Sequence, residues 1–322
     1  GANFGVFRYL QNYGKQNNVG VMLTHKLDEA NAERGFLERN NTTLTVDGLI
    51  RPNDSWTVTY LLSGSRDNSS EKMGLAGHFF AGYQPQNAYM GWVTKFVDEK
   101  YVPGMGFVFA NNTIHHNPGG YFIWRPKGKL GKIFRRIDPG GFINYYQNAN
   151  DFKMQEASVV VFPIYLVFNS NAEFEYAITP TWQTYNFALD ILGKDIPIGN
   201  YNVVRHLLRY ESDASRKLSF ASRYEFGGYF NGNLNTLTLS GRFAPIPNIA
   251  LTANYEHSDF KNFGEKREDF TTDLYTVGLR VAPNPRIQLS GFYQYNTFDS
   301  RGRWNIRGSR KPQSKSIIYQ QT

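Results

Sequence analysis

The sequence predicts an all-β fold, an antiparallel transmembrane β-barrel of the outer-membrane type with roughly 16–18 strands. Three observations predict it: side-chain character alternates with a period of two almost throughout, short and long connections follow each other in turn, and one face of the strands is apolar with aromatic ends.

Composition agrees. Of 322 residues, 41% are apolar, 16% aromatic and only 19% charged, with 21 Tyr, 25 Phe and 30 Gly. A soluble domain usually carries about 25% charge. The mean hydropathy of −0.48 excludes a bundle of membrane helices. The longest apolar run, Val159 to Phe168, contains Pro163 and is too short to cross as a helix. A crossing helix needs about 20 apolar residues, whereas a tilted strand needs about 9–11. A barrel can be hydrophilic on average because every second residue faces a wet lumen.

The alternation is explicit in five segments. Trp56, Val58, Tyr60 and Leu62 share a face opposite Thr57 and Thr59. Leu237, Leu239, Gly241 and Phe243 oppose Thr238, Ser240 and Arg242, and Ile249, Leu251, Ala253 and Tyr255 oppose Ala250, Thr252, Asn254 and Glu256. Tyr275, Val277, Leu279 and Val281 oppose Thr276, Gly278 and Arg280. In the last, Ile287, Leu289, Gly291, Tyr293 and Tyr295 oppose Gln288, Ser290, Gln294 and Asn296. This is the pattern of a lipid-facing exterior around a polar interior. A soluble sandwich, barrel or propeller also alternates, but seldom with so many long strands ending in aromatics, and a propeller would show a blade repeat.

Tight turns are predicted at Arg51–Asp54, Gln84–Asn87, Asn169–Asn171, Ser212–Ser215, Pro245–Asn248 and Pro283–Pro285. Proline suits such turns because it presets φ and needs no ladder partner for a missing N–H. Longer loops are expected at His25–Asn40, Asp98–Gly119, Tyr185–Gly199 and Ser258–Phe270. Short turns on one rim and long loops on the other are the outer-membrane layout, which places the chain in the bacterial outer membrane. No domain boundary is visible, so residues 1–322 read as one barrel domain, expected to be part of a longer chain.

The order of segments resembles a family of Bacteroidota outer-membrane proteins of unknown function. The resemblance is carried by Gly5-Val-Phe-Arg8, Asn18-Val-Gly-Val-Met-Leu-Thr24, Thr45-Val-Asp-Gly48, Val102-Pro-Gly-Met-Gly-Phe-Val108, Ile196-Pro-Ile-Gly-Asn-Tyr201, Arg303-Trp304 and Ile317-Ile-Tyr319. In that family the barrel follows a domain like carbohydrate-binding module family 9, which implies a role in surface glycan handling. No such module is present here, so no sugar-binding residue carries over. By that resemblance the chain opens inside the barrel part and closes on Tyr319-Gln-Gln-Thr322 without the usual terminal aromatic, so strands are expected to be missing at one or both ends.

Nothing in the sequence marks a catalytic, cofactor or metal site, and the chain is expected not to be an enzyme. There is no Cys, which excludes thiolate ligands, thiol nucleophiles and disulfides. No G-x-S-x-G or H-E-x-x-H motif occurs. The six histidines are His25, His78, His115, His116, His206 and His257. His115 and His116 read as a solvated pair in a long loop, and their side chains would diverge on extended backbone. His206 is placed on the exterior near a rim. Pro139-Gly-Gly141 and Gly227-Gly228 read as strand bends or bulges, and Asp138–Gly141 equally as a turn.

Ten charged residues are assigned to the lumen: Arg205, Arg209, Arg223, Arg242, Arg280, Glu173, Glu175, Glu225, Glu256 and Asp273. An Arg facing the bilayer midplane would cost about 2–4 kcal/mol. Inside, these groups form either a scaffold of mutual ion pairs or a selectivity lining for an anionic solute. Trp56, Tyr83, Trp92, Trp182, Tyr229, Phe243 and Tyr255 are candidates for the interfacial aromatic girdle. The net charge of +8 is spread along the chain without a compact basic motif, favouring anionic headgroups, outer-membrane lipid and lipopolysaccharide, over nucleic acid. Three roles stay open: glycan handling, with glycans as partners; a structural subunit held by other outer-membrane proteins; and a porin-like diffusion channel.

Overall fold

The computed structural model describes residues 2–29, 39–68, 73–108, 110–284 and 286–310. It is a meander in which nearly every strand pairs antiparallel with its sequence neighbours. The first half runs through β1 (Ala2–Tyr13), β2 (Asn17–Asp28), β3 (Arg39–Ile50), β4 (Trp56–Asp67), β5 (Gly74–Tyr83), β6 (Ala88–Val97) and β7 (Thr113–Phe122). A one-turn helix, α1 (Gly128–Gly131), precedes β8 (Phe134–Ile137) and β9 (Gly140–Asn148). The second half comprises β10 (Met154–Phe168), β11 (Glu173–Tyr185), β14 (Gly199–Glu211), β15 (Leu218–Tyr229), β16 (Gly232–Ile246), β17 (Ile249–Phe263), β18 (Glu268–Asn284), β19 (Ile287–Asn296) and β20 (Arg301–Arg310). Between β11 and β14 lies a small separate ribbon, β12 (Leu189–Ile191) with β13 (Lys194–Ile196). Pairing is continuous from β1 to β20, with no β1–β20 pairing among the described residues.

Strands β8 and β9 share one place in the wall. Both pair with β10, β9 to its first half and β8 to its last residues. The break between them, at Asp138 and Pro139, lies opposite the register shift of β10 between Val161 and Ile164. Pro163 sits in that shift, where its missing N–H removes no ladder bond. Two prolines on neighbouring strands thus interrupt the ladder at one height.

The alternation sorts the two faces as the sequence predicts. Leu237, Leu239 and Phe243 on β16 share a face with Leu251 and Tyr255 on β17 and with Val277 and Leu279 on β18. These apolar side chains are not packed into an interior: Leu251, Val277, Leu279, Leu289 and Ile306 stand exposed on one surface. A contiguous apolar surface of this extent is untenable in water and is solvated by hydrocarbon. The opposite face carries Thr, Ser, Asn and charge, and is the inner wall.

Connections also divide by rim. One rim has the tight turns at 14–16, 51–55, 84–87, 169–172, 212–217, 247–248 and around residue 286, plus the longer 123–133 link between β7 and β8. The other has the links 98–112 and 186–198 and that between Asp28 and Arg39, of which residues 30–38 lie outside the described residues. Two loop expectations are corrected. Ser258–Phe270 is strand on both sides of a four-residue turn, because alternation simply continues above the apolar band. His115 and His116 lie in β7, not in a loop. They do diverge: His115 stacks on Tyr146 at 4.1 Å, while His116 faces Trp92 from the other side of the sheet.

Candidate functional site

The inner wall is built first from ion pairs. Glu173 and Glu175 on β11, Arg209, Arg205 and Glu211 on β14, and Arg223 and Glu225 on β15 share inward parity. Arg209 is the hub. Its Nε donates to Glu175 Oε2 at 2.9 Å, its Nη1 to Glu211 Oε1 at 2.8 Å, and Glu173 lies 4.0 Å away. The guanidinium also faces the Tyr165 ring at 5.7 Å, and the Tyr165 hydroxyl donates to Glu173 at 2.6 Å. Arg205 pairs with Glu225 at 3.6 Å, and Arg223 bonds the same carboxylate. Six of the ten predicted lumen charges therefore belong to a scaffold of two networks, one around Arg209 and one around Glu225.

Arg242, Arg280 and Glu256 also face inward but stand apart from it. Arg242 and Arg280 only approach backbone carbonyls, of Ala214 and Pro247, each at 3.5 Å. With Arg307 of β20 they line a hollow of about 530 Å³ on the inner wall, floored by Thr252 and Ser290. None of the three arginines has an acidic partner among the described residues.

Asp273 is corrected to the outer face. Residues two apart share a face, so Asp273 projects outward with Tyr275, opposite His257 across the ladder. Tyr255 donates its hydroxyl to Asp273 Oδ1 at 2.8 Å, and His257 Nδ1 lies 2.8 Å from the same oxygen. This cluster sits where the outer face of β17 changes from Ile249, Leu251 and Ala253 to His257, Asp259 and Lys261.

The girdle candidates also divide. Trp56 stacks on Tyr83 at 4.9 Å at the short-turn rim, with Phe243 outward near the same rim and Trp182 outward near the other. Tyr255 packs on Tyr275 at 5.0 Å at the polar boundary. Trp92 faces outward at mid-strand. Tyr229 is corrected to the interior: its ring stacks on Phe263 at 5.7 Å and lies under Arg205 at 5.5 Å, as its shared parity with Arg223 and Glu225 on β15 requires. His206 is outward but at mid-strand, between Phe226 and Tyr176, whose hydroxyl is 3.0 Å from Nδ1.

Alternation does not reveal the second component, two loops folded against the inner wall. In the β6–β7 link, Tyr101 is buried and its hydroxyl is 2.8 Å from Ser63 Oγ. The Val102 N–H donates to Ser65 Oγ at 2.9 Å, and Asn41 grips the loop twice. Its Nδ2 donates to the Val102 carbonyl at 2.8 Å and its Oδ1 accepts from the Gly104 N–H at 2.9 Å. In the β11–β14 link, the ribbon puts Ile196, 1% exposed, against Tyr201, Leu234, Phe260 and Phe263. Phe260 stacks on Phe270 at 4.5 Å, Lys194 pairs with Glu268, and the Glu265 N–H donates to the Asp195 carbonyl at 2.8 Å. The readable signal was apolar side chains within a polar loop: Tyr101 and Val102 in one, Ile191, Leu192 and Ile196 in the other.

Among the described residues no three His, Asp or Glu are placed to hold a metal, and no helix is long and apolar enough to cross a membrane, which says nothing of strands. No known family profile and no curated protein matches the chain. Solved structures do. A loop L8 deletion mutant of OmpT, an outer membrane protein of Vibrio cholerae, matches with a TM-score of 0.46 and 11% identity over 95% of this chain and 98% of that one. In-vitro folded OmpT of the same organism matches at 0.42 and 11% over 92% and 86%. The protein is an outer-membrane β-barrel. The expectation that it is not an enzyme is corrected. The lack of a sequence motif is no ground for excluding catalysis, since the ladder brings His257, Asp273 and Tyr255 together although the sequence showed no such convergence.

Proposed function

We propose that the barrel is a passive channel for small hydrophilic solutes, with a preference for anions. The observation that carries this reading is the set of three unpaired inward arginines, Arg242, Arg280 and Arg307, around a hollow of the lumen wall. Acids elsewhere on the wall are mostly engaged by the Arg209 and Arg205 networks, so the arginines dominate the field that a solute meets. The two inward loops supply what a channel needs besides a polar lining, a narrowing that makes the lining matter. Surface glycan handling draws only on the family resemblance, and a subunit role on no contact in the structure.

Single-channel recording in planar bilayers tests this. The expected result is discrete conductance steps and a reversal potential in a potassium chloride gradient displaced towards the chloride value. A silent bilayer containing folded protein, or a displacement towards potassium, overturns it.

A further inference from the structure

The two rims differ in charge. The described connections of the short-turn rim carry nine Lys or Arg against two acids, Asp54 and Asp213. Those of the opposite rim carry five basic residues against eight acids. Four of the nine lie in one link, residues 123–133 between β7 and β8, where Arg125, Lys127, Lys129 and Lys132 occur without an acid, and Arg135 follows. This corrects the expectation that no compact basic motif exists: a spread over the whole chain hid one stretch of it.

That link is also the longest connection of its rim, and its apolar residues are not tucked away. Trp124 is 53% exposed, Leu130 46% and Ile133 52%. Trp124 is fixed by a two-way backbone bridge to Ile137, at 2.9 and 2.8 Å, which holds the start of the link as an extension of the wall. Phe122 shares the outward parity of Trp124, so the pair continues the lipid-facing row of β7 towards the rim. Arg125 and Arg135 are partly engaged, by the Gln86 carbonyl at 3.1 Å and by Asn171 at 2.8 Å. Lys127, Lys129 and Lys132 are exposed and have no acidic partner among the described residues.

An outward Trp, two exposed aliphatic side chains and three unpaired lysines at the end of a membrane-facing row fit one surrounding, the headgroup layer of an anionic bilayer leaflet. Aromatic rings lie at the level of the headgroups, and lysines close to an anionic surface each contribute attraction of order 1 kcal/mol. We infer that the 123–133 link is a docking site for anionic phospholipid in the leaflet at the short-turn rim, with Lys127, Lys129 and Lys132 taking the phosphates and Trp124, Leu130 and Ile133 seated at the acyl boundary. The site is independent of whether the lumen conducts.

Native mass spectrometry of the detergent-purified barrel, titrated in parallel with dioleoylphosphatidylglycerol and dioleoylphosphatidylcholine, tests this. The expected result is preferential retention of the anionic lipid. A combined Lys127→Gln, Lys129→Gln, Lys132→Gln variant lowers that preference at least about tenfold, and the corresponding Arg variant keeps it. Heat-modifiable gel migration verifies that each variant is folded. Equal retention of both lipids by the native barrel, or undiminished preference in the Gln variant, overturns the inference. So does a link that captures peptidoglycan fragments while ignoring phosphatidylglycerol.

Discussion

Arg8 on β1 reaches across the full width of β2 to grip Asp47 on β3, with Nη2 2.8 Å from Oδ2. The crossing is possible because Gly20 lies beneath it. A Cβ at that position would stand 2.5 Å from Arg8 Nη2. The guanidinium is the mobile end of a long side chain, so Gly20→Ala displaces the arginine and leaves the backbone in place. Gly20→Ala and Asp47→Asn are each expected to lower the temperature of heat-modifiable gel migration, and to do so by the same route. A double-mutant cycle checks this: the combined variant falls no further than the lower single one. Full additivity would mean that Gly20 serves some purpose other than clearing the path.

Arg209 holds three carboxylates that would otherwise repel one another on adjacent strands, those of Glu173, Glu175 and Glu211. Arg209→Ala is expected to destabilise the barrel by about 1–2 kcal/mol, the lower range of a buried network because water screens the wall. It also frees negative charge in the lumen, so the reversal potential moves towards potassium. Arg209→Lys retains the charge but not the forked geometry, and should recover the selectivity more fully than the stability. Urea titration in lipid vesicles and bilayer recording separate the two effects.

Wall and lining were legible to different degrees. Residues such as Leu251 and Thr252 announce their faces because the side-chain period of a strand is two, and lipid on one side enforces it. The same rule, counted from Tyr275, sends Asp273 outward, so its assignment to lumen parity was a miscount of the alternation. Tyr229 has the inward parity of Arg223 and Glu225, so the same rule would have sent it inside; its aromatic character alone suggested the girdle. The loop contacts of Tyr101 and Ile196 join residues distant in sequence and have no period at all. Polar links with buried apolar side chains were the only local sign of them.

The two-faced wall makes neighbouring substitutions behave oppositely. Leu251 faces lipid and Thr252 the lumen. Leu251→Arg is expected to cost about 1–2 kcal/mol of folding free energy in vesicles, between the midplane and interface costs of a lipid-facing cation, since its partner Phe243 lies near the rim. Thr252→Arg places the same group in the wet hollow beside Arg242 and Arg280, so it should leave the barrel folded and strengthen anion preference. Equal costs at the two positions, measured by equilibrium folding into vesicles, would remove the alternation on which the wall assignment stands.

Asp213 lies in the 212–217 turn, outside the membrane. The Ser215 hydroxyl donates to Oδ1 at 2.6 Å, the Ser215 N–H at 2.9 Å, and Asn171 reaches Oδ2 at 3.3 Å. These bonds, the hydroxyl's first, hold the carboxyl below the usual carboxylate range. A depressed folded value means that the turn's contribution is complete above the unfolded value of about 3.9 and disappears as the pH falls through the folded value. Ser215→Ala should bring the carboxyl back towards its ordinary titration, seen as an upward shift of the Asp213 side-chain carbon titration by NMR. An unchanged titration would show that the Asn171 and backbone contacts suffice.

The β12–β13 ribbon offers the sharpest test of what the inward loops do. Ile196 is 1% exposed and seats the ribbon on Leu234, Phe260 and Phe263 of the inner wall. Ile196→Asp puts a carboxylate where burial without a partner is prohibitive, so the ribbon is expected to undock while the strands remain paired. Conductance should then rise by roughly twofold, because the narrowest part of a pore dominates its resistance. Tyr101→Phe on the other loop removes only the hydroxyl contact with Ser63, so it should raise conductance less. If Ile196→Asp conducts as the native barrel does, while its Trp and Tyr emission reports a changed loop, the ribbon decorates the wall and the constriction lies with the Tyr101 loop alone.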